Sequence, residues 1–148
     1  MNGKDNQSLF LLGSSHQVAD LSVRERISLP PDSIDEFYNG LSEIPGLDEC
    51  LLLNTCNRTE IYGATKSSCS LGSISQYLSE FRKLEPDFLQ RYSYQRSNHE
   101  VISHLFEVTS GIDSQMVGET EILGQVKKAY NDAFKRNVSG KMLNRLFQ

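Results

Sequence analysis

Cys50-Leu51-Leu52-Leu53-Asn54-Thr55-Cys56-Asn57-Arg58-Thr59-Glu60-Ile61-Tyr62 is the stretch whose reading decides how this chain is organised. The apolar run Cys50–Leu53 reads as a buried strand, and Ile61-Tyr62 resumes a strand-like pattern, so the polar residues between them sit at a tight junction of two strands. Cys56 stands where the first strand should end, with Thr55 and Asn57 beside it and Arg58 two residues on. A strand end holds a side chain rigidly while letting it face a cleft, and a nearby cation lowers a thiol's pKa toward the reactive thiolate. Two readings of Cys56 are open. One is a buried structural thiol, the common fate of a lone cysteine; the other is a nucleophile. The polar groups crowded around the sulfur weigh toward the second.

Upstream, residues 1–8 are polar and are expected to be a disordered N-terminus. Leu9–Gly13 reads as a strand running into the turn Gly13-Ser14-Ser15, and Leu21–Ser28 as a short helix stopped by Pro30-Pro31. Ser33 with Glu36 is a capping-box pattern, and Ile34, Phe37, Tyr38 and Leu41 mark an amphipathic helix closed by Pro45-Gly46. Downstream, a strand is expected over Arg58–Ala64. A helix follows with Leu71, Ile74, Leu78 and Phe81 on its stripe, and then a strand over Gln90–Gln95, where Tyr92 and Tyr94 alternate. Strand, helix, strand, strand, helix, strand is the ferredoxin-like split βαβ order. The fold class is therefore α+β: a four-stranded antiparallel sheet with two helices on one face, over residues 9–96. Residues 97–139 read as a helical subdomain. Asn98 is the expected cap, Val101, Leu105, Val108 and Ile112 form one stripe, and Ile122, Val126, Ala129, Tyr130 and Ala133 form a second. Residues 140–148 open a further helix that meets no stop signal and is expected to continue.

At 148 residues the chain suffices for one domain with a real core. The net charge of −4 argues against a general nucleic-acid-binding surface but leaves room for a local basic patch. No apolar run is long enough to span a membrane and the N-terminus lacks a signal-peptide core, so a cytoplasmic location is expected. Cys50, Cys56 and Cys69 have no metal-type spacing, and His16, His99 and His104 are scattered, so no metal site is expected. There is no G-x-G-x-x-G after a strand and no G-x-x-x-x-G-K, and no cofactor is expected on this chain.

Thr55-Cys56-Asn57-Arg58-Thr59-Glu60-Ile61-Tyr62 resembles the catalytic cysteine motif of the glutamyl-tRNA reductases. Gly13-Ser14-Ser15-His16 followed by Val23-Arg24-Glu25-Arg26 resembles that family's N-terminal segment. Ser110-Gly111-Ile112-Asp113-Ser114, then Val117-Gly118-Glu119 and Ile122–Lys127, resembles its third signature. The resemblance implies reduction of glutamyl-tRNA(Glu) to glutamate-1-semialdehyde through a cysteine thioester and NADPH, the first step of tetrapyrrole synthesis from glutamate. It makes Cys56 the nucleophile and puts His104 at the family's functional-histidine position. Helical spacing turns His104 inward beside Val101 and Val108, which also suits a satisfied core histidine. Thr55, Asn57 and Arg58 become substrate-binding residues; an ion pair with Glu60 is the other reading of Arg58. Ser114, Glu119, Thr120, Glu121 and Gln125 match substrate-binding positions, although solvated helix polar groups would look the same. Thr120 and Glu121 replace the family's usual Pro and Gln, and the extra negative charge is unfavourable near a substrate carboxylate. His16 reads as a locally satisfied loop histidine and His99 as solvated. The family's NADPH-binding and dimerisation parts follow this domain, so the chain is expected to be the N-terminal catalytic domain: a monomer by itself, part of a homodimer at full length, able to form the thioester but not to reduce it. The alternatives are a non-enzymatic tRNA- or protein-binding regulatory module and a cysteine hydrolase.

Overall fold

The computed structural model describes residues 7–66, 71–110 and 121–148. Strands β1 (Ser8–Ser15), β2 (Leu47–Asn54), β3 (Arg58–Thr65) and β4 (Tyr94–Ser97) form one sheet in the order β2-β3-β1-β4, with every neighbouring pair antiparallel. This is the split βαβ arrangement expected from the order of elements. The helices are α1 (Leu21–Ile27), α2 (Ile34–Leu41), α3 (Leu71–Phe81), α4 (Phe88–Tyr92), α5 (His99–Ser110), α6 (Ile122–Lys135) and α7 (Lys141–Phe147). None of the described helices is long and apolar enough to cross a membrane.

The apolar runs Leu9–Leu12 and Cys50–Leu53 do not alternate with polar residues because both faces of the sheet are covered. On one face Phe10, Leu12, Cys50, Leu52 and Ile61 pack against Phe37, Leu41, Ile74, Leu78 and Leu89 of α2, α3 and α4. On the other, Leu9, Leu11, Leu51, Leu53 and Tyr62 pack against Val101, Leu105, Val126, Ala133 and Leu143 of α5, α6 and α7. The helical subdomain read from the sequence is thus the second layer over the same sheet. The outer edge of β2 is also covered: the Cys50 N–H donates to the Val138 carbonyl and the Leu52 N–H to the Tyr38 hydroxyl.

Four local expectations change. The strand expected over Gln90–Gln95 is instead the end of α4 followed by β4 from Tyr94. Phe88 and Tyr92, four residues apart with ring centroids at 5.0 Å, pair as helix neighbours, which the Tyr92/Tyr94 alternation concealed. Ser33 makes no capping bond to α2, because its hydroxyl donates to the Pro30 carbonyl. Asn98, just ahead of α5, has φ 51°; its carbonyl accepts the Val101 N–H, while its side-chain oxygen accepts the Leu9 N–H and so ties β1 to the head of the helix. Ser8, expected in the tail, opens β1. Met1 to Asn6, Cys69 and Ile112 lie outside the described residues.

The N-terminus of helix α7 is tied to the sheet by one carboxylate. Glu49 on β2 is buried, and its oxygens accept the backbone N–H groups of Gly140, Met142 and Leu143, the unsatisfied donors of a helix N-terminus. Glu49→Gln is expected to cost about 1.5–3 kcal/mol, the worth of charge-assisted hydrogen bonds. Urea unfolding checks the size, and faster amide exchange confined to residues 140–147 checks the location.

Candidate functional site

Pleating puts Arg58, Glu60 and Tyr62 of β3 on the face covered by α5–α7. Glu60 is completely buried, and its carboxylate is the hub of the site. Oε1 accepts the Tyr62 hydroxyl at 2.8 Å. Oε2 accepts the Tyr94 hydroxyl at 2.5 Å and faces His104 Nε2 at 2.6 Å and Arg58 Nη1 at 3.4 Å. Four side chains thus converge on one carboxylate, one at Oε1 and three around Oε2. Burial by itself pushes the Glu60 pKa up. The His104 hydrogen bond and charge, the Arg58 guanidinium and the Tyr94 hydroxyl outweigh it and hold the group below the usual carboxylate range. The same burial, together with the Glu60 charge, pushes the Tyr62 and Tyr94 hydroxyls up, so both remain protonated donors.

The carboxylate reaches Tyr94 because nothing stands between them. Gly13 of β1 is the register partner of Glu60 on one side and of Tyr94 on the other. A Cβ on Gly13 would lie 2.6 Å from Glu60 Cγ, so the missing side chain is the channel through which Glu60 crosses β1.

Cys56 lies on the turn from β2 to β3. The Thr55 hydroxyl accepts the N–H groups of Asn57 and Arg58, and the Thr55 N–H donates to the Arg58 carbonyl, which closes the turn tightly. Asn54 anchors it to the α1–α2 connection through Ser28 and Leu29, Arg24 donates to the Cys56 carbonyl, and the His16 N–H donates to the Asn57 carbonyl. On this fixed frame Cys56 is exposed. Cys50, six residues earlier, is buried, and desolvation followed by the Glu49 charge pushes its thiol up to about 12.

Two cavities adjoin these elements. The first, about 630 Å³, is lined by Ser15, Gln17, Tyr94, Arg96, Ser103 and His104, among others. Its lining places His104, directed by Glu60, at an accessible surface. The second, about 490 Å³, brings Thr55 and Gln125 together with Asn54, Tyr38 and Lys128. Cys56 lines neither. Arg58 is 1% exposed and makes the ion pair with Glu60 that was the other reading of its charge. Glu121 is exposed at the head of α6 and makes no capping bond there. Ser114, Glu119 and Thr120 lie outside the described residues. His16 differs from its expected local satisfaction: both ring nitrogens are buried without a hydrogen-bond partner among the described residues. His99 is exposed on the rim of the first cavity. Among the described residues, no cluster of His, Cys, Asp or Glu is arranged to hold a metal ion.

Residues 12–148 match a family model described as the glutamyl-tRNA(Glu) reductase N-terminal domain. The chain belongs to that glutamyl-tRNA reductase domain family. It is 37% identical over 141 residues to a glutamyl-tRNA reductase of Heliobacterium mobile, covering 95% of this chain and 32% of the relative. It is 38% identical over 140 residues to one of Desulforudis audaxviator, covering 95% and 31%. The structure of glutamyl-tRNA reductase from Methanopyrus kandleri superposes with a TM-score of 0.73 at 27% identity, over 94% of this chain and 31% of that one. The chain thus spans about a third of the length of these relatives.

Within this glutamyl-tRNA reductase domain the hub at Glu60 was missed by sequence reasoning, which treated Glu60 only as a possible partner for Arg58. The signal was present: Arg58, Glu60 and Tyr62 at period two in a strand with apolar neighbours, and a glycine inside the strand that pairs with them. Glu60→Gln is expected to destabilise the fold by about 3–5 kcal/mol at pH 7, because it removes the buried charge to which both Arg58 and His104 are paired. The native pKa of Glu60 lies below its unfolded value of about 4.3. Its contribution is therefore present above that pH and is lost as pH falls through the native value. The gap between the unfolding curves of wild type and variant should therefore begin to close only below the unfolded value and vanish as pH falls through the lower native one; a gap that stays constant from pH 7 downward contradicts a charged hub.

Proposed function

We propose that this domain carries out the acyl-transfer half of glutamyl-tRNA reduction, with Cys56 taking the glutamyl group from tRNA(Glu) as a thioester. The observation that carries this reading is the exposed sulfur of Cys56 on a rigid turn whose neighbouring strand leads into a carboxylate-directed histidine. The thiolate attacks the ester carbonyl. A carbon–sulfur bond forms, the carbon–oxygen bond to the terminal ribose breaks, and the departing oxygen takes up a proton; no electrons change hands. With Nε2–H directed at Glu60, Nδ1 of His104 is the nitrogen left to hold or move that proton or to polarise the carbonyl. Arg58, buried against Glu60, is assigned to the carboxylate of the glutamyl side chain, which reaches it by opening that ion pair; Thr55 and Asn57 are assigned to shaping the turn around the reacting carbonyl, and Ser114, Glu119, Thr120, Glu121 and Gln125 to the amino-acid moiety.

These residues do not fit a nicotinamide dinucleotide. The sheet is antiparallel, and among the described residues no strand leads through a glycine-rich turn into a helix N-terminus that would cradle a pyrophosphate. The reductant, NADPH by family resemblance, is assigned to the part of the relatives that this chain does not span, and the chemistry derived for this domain stops at the thioester. On this reading residues 9–96 and 97–139 act as one catalytic unit, and residues 140–148 open the helix toward the NADPH-binding and dimerisation parts of a homodimeric, cytoplasmic oxidoreductase of tetrapyrrole synthesis.

Incubation with glutamyl-tRNA carrying labelled glutamate should leave label on the protein, and Cys56→Ser should abolish it. His104→Ala should slow labelling about 100-fold or more. Wild-type speed in His104→Ala makes the histidine a core residue only. Iodoacetamide at pH 7 should modify Cys56 far faster than Cys50, and equal rates would favour a non-enzymatic binding module. Arg58→Lys keeps the charge and loses the planar fork. Calorimetric titration with a stable glutamyl-adenosine analogue should show a loss of roughly 1.5–3 kcal/mol; unchanged affinity confines Arg58 to its ion pair with Glu60.

A further inference from the structure

Helix α6 exposes Lys127, Lys128 and Lys135, and none of the three makes an ion pair with a described residue. The region is charged against the trend of the chain. Residues 122–148 hold six lysines and arginines and one acid, Asp132, in a protein of net charge −4. Arg136 is already occupied: it pairs with Asp132 and Asp35 and lies over the Tyr38 ring. At helical spacing the three lysines, Gly124 and Asn131 share one outward arc of roughly 100°, with Phe134, 56% exposed, at its edge.

Gly124 adds an independent sign. Glycine inside a helix is destabilising relative to alanine. Among the described residues a Cβ there would meet nothing within 4 Å, so packing within the chain gives no reason for it. Close approach by something outside the chain does. The row also starts at the site, because Lys128 lines the second cavity with Thr55, which adjoins Cys56. The other helix beside the site gives the contrast: α5 exposes Glu100 and Glu107 and has no lysine or arginine.

We propose that the exposed face of α6 is the track for the phosphodiester backbone of the RNA strand whose 3′ end delivers the acyl group to Cys56. Lys127, Lys128 and Lys135 neutralise successive phosphates, Gly124 lets the backbone close on the helix, and Phe134 offers a face for an unpaired base. The surface rests on the acyl-transfer reading and adds to it the side of the domain on which the RNA lies.

The test is fluorescence anisotropy of the full 148-residue chain with an uncharged tRNA(Glu) transcript between 50 and 200 mM salt. The triple variant Lys127→Gln/Lys128→Gln/Lys135→Gln should bind at least tenfold more weakly at 50 mM salt. Its plot of log affinity against log salt should be shallower by about 2, at roughly 0.7 for each phosphate that is no longer neutralised. Gly124→Ala should melt at a higher temperature than wild type yet bind the transcript more weakly, a combination that a structural glycine does not produce. Wild-type affinity and salt slope in the triple variant would overturn the surface, as would absence of transcript binding by the wild type. If wild type binds through these lysines but Cys56 is never glutamylated by glutamyl-tRNA, the surface stands and the acyl-transfer reading falls. If the triple variant is glutamylated at the wild-type rate at limiting tRNA, the surface alone falls.

Discussion

A carboxylate with no access to water sits at the centre of this domain, and the elements around it are placed to make that tolerable. An isolated buried charge costs several kcal/mol even after relaxation. Glu60 is kept ionised by a guanidinium on its own strand, a phenol two residues along, a second phenol from β4 and an imidazole from α5. Those donors come from β3 and from β4 and α5, which lie well beyond it in sequence, so the sheet and the first helix beyond it are joined by charge as well as by apolar packing. The Tyr94 and His104 rings, with centroids 5.4 Å apart, complete the joint.

The arrangement separates two jobs. The hub fixes an imidazole in orientation, and the turn beside it presents a sulfur. Neither the turn nor the hub borrows rigidity from a ligand, because Thr55, Asn54 and Arg24 close the turn with bonds inside the chain. Of the two described cysteines, six residues apart, one is committed to the core and the other to the surface.

The strand order was legible because β1, β2 and β3 were flagged by apolar runs or by turns at their ends and the alternation around Tyr94 signalled a fourth strand, although not its bounds. The junction at Cys56 was legible for the same reason: polar residues interrupt two apolar runs over too few positions for anything but a tight turn. What the sequence left unclear were features set by partners distant in the chain. The Asn98 side chain looks like a cap until β1 supplies its donor, and α4 looks like a strand until Phe88 and Tyr92 meet across one turn. The period-two pattern of Arg58, Glu60 and Tyr62 hinted at Glu60, but three of its neighbours come from elsewhere in the chain: strand register brings Gly13 and Tyr94 to it, and the packing of α5 brings His104.

That register has a consequence for how the chain acquires its chemistry. Because both faces of the sheet are covered with apolar side chains of similar size, a pairing of β3 displaced by one residue would still bury hydrophobic surface on each side. It would also turn Arg58 and Glu60 into the layer built from α2 and α3, where the Tyr38 and Tyr77 hydroxyls are already bonded to the Leu52 N–H and the Phe37 carbonyl and no imidazole lies in the described core. The burial of an unmatched charge makes such a misregistered sheet unstable, so the buried carboxylate acts as a proofreader of strand alignment: the compact state that survives is the one in which the histidine is already aimed.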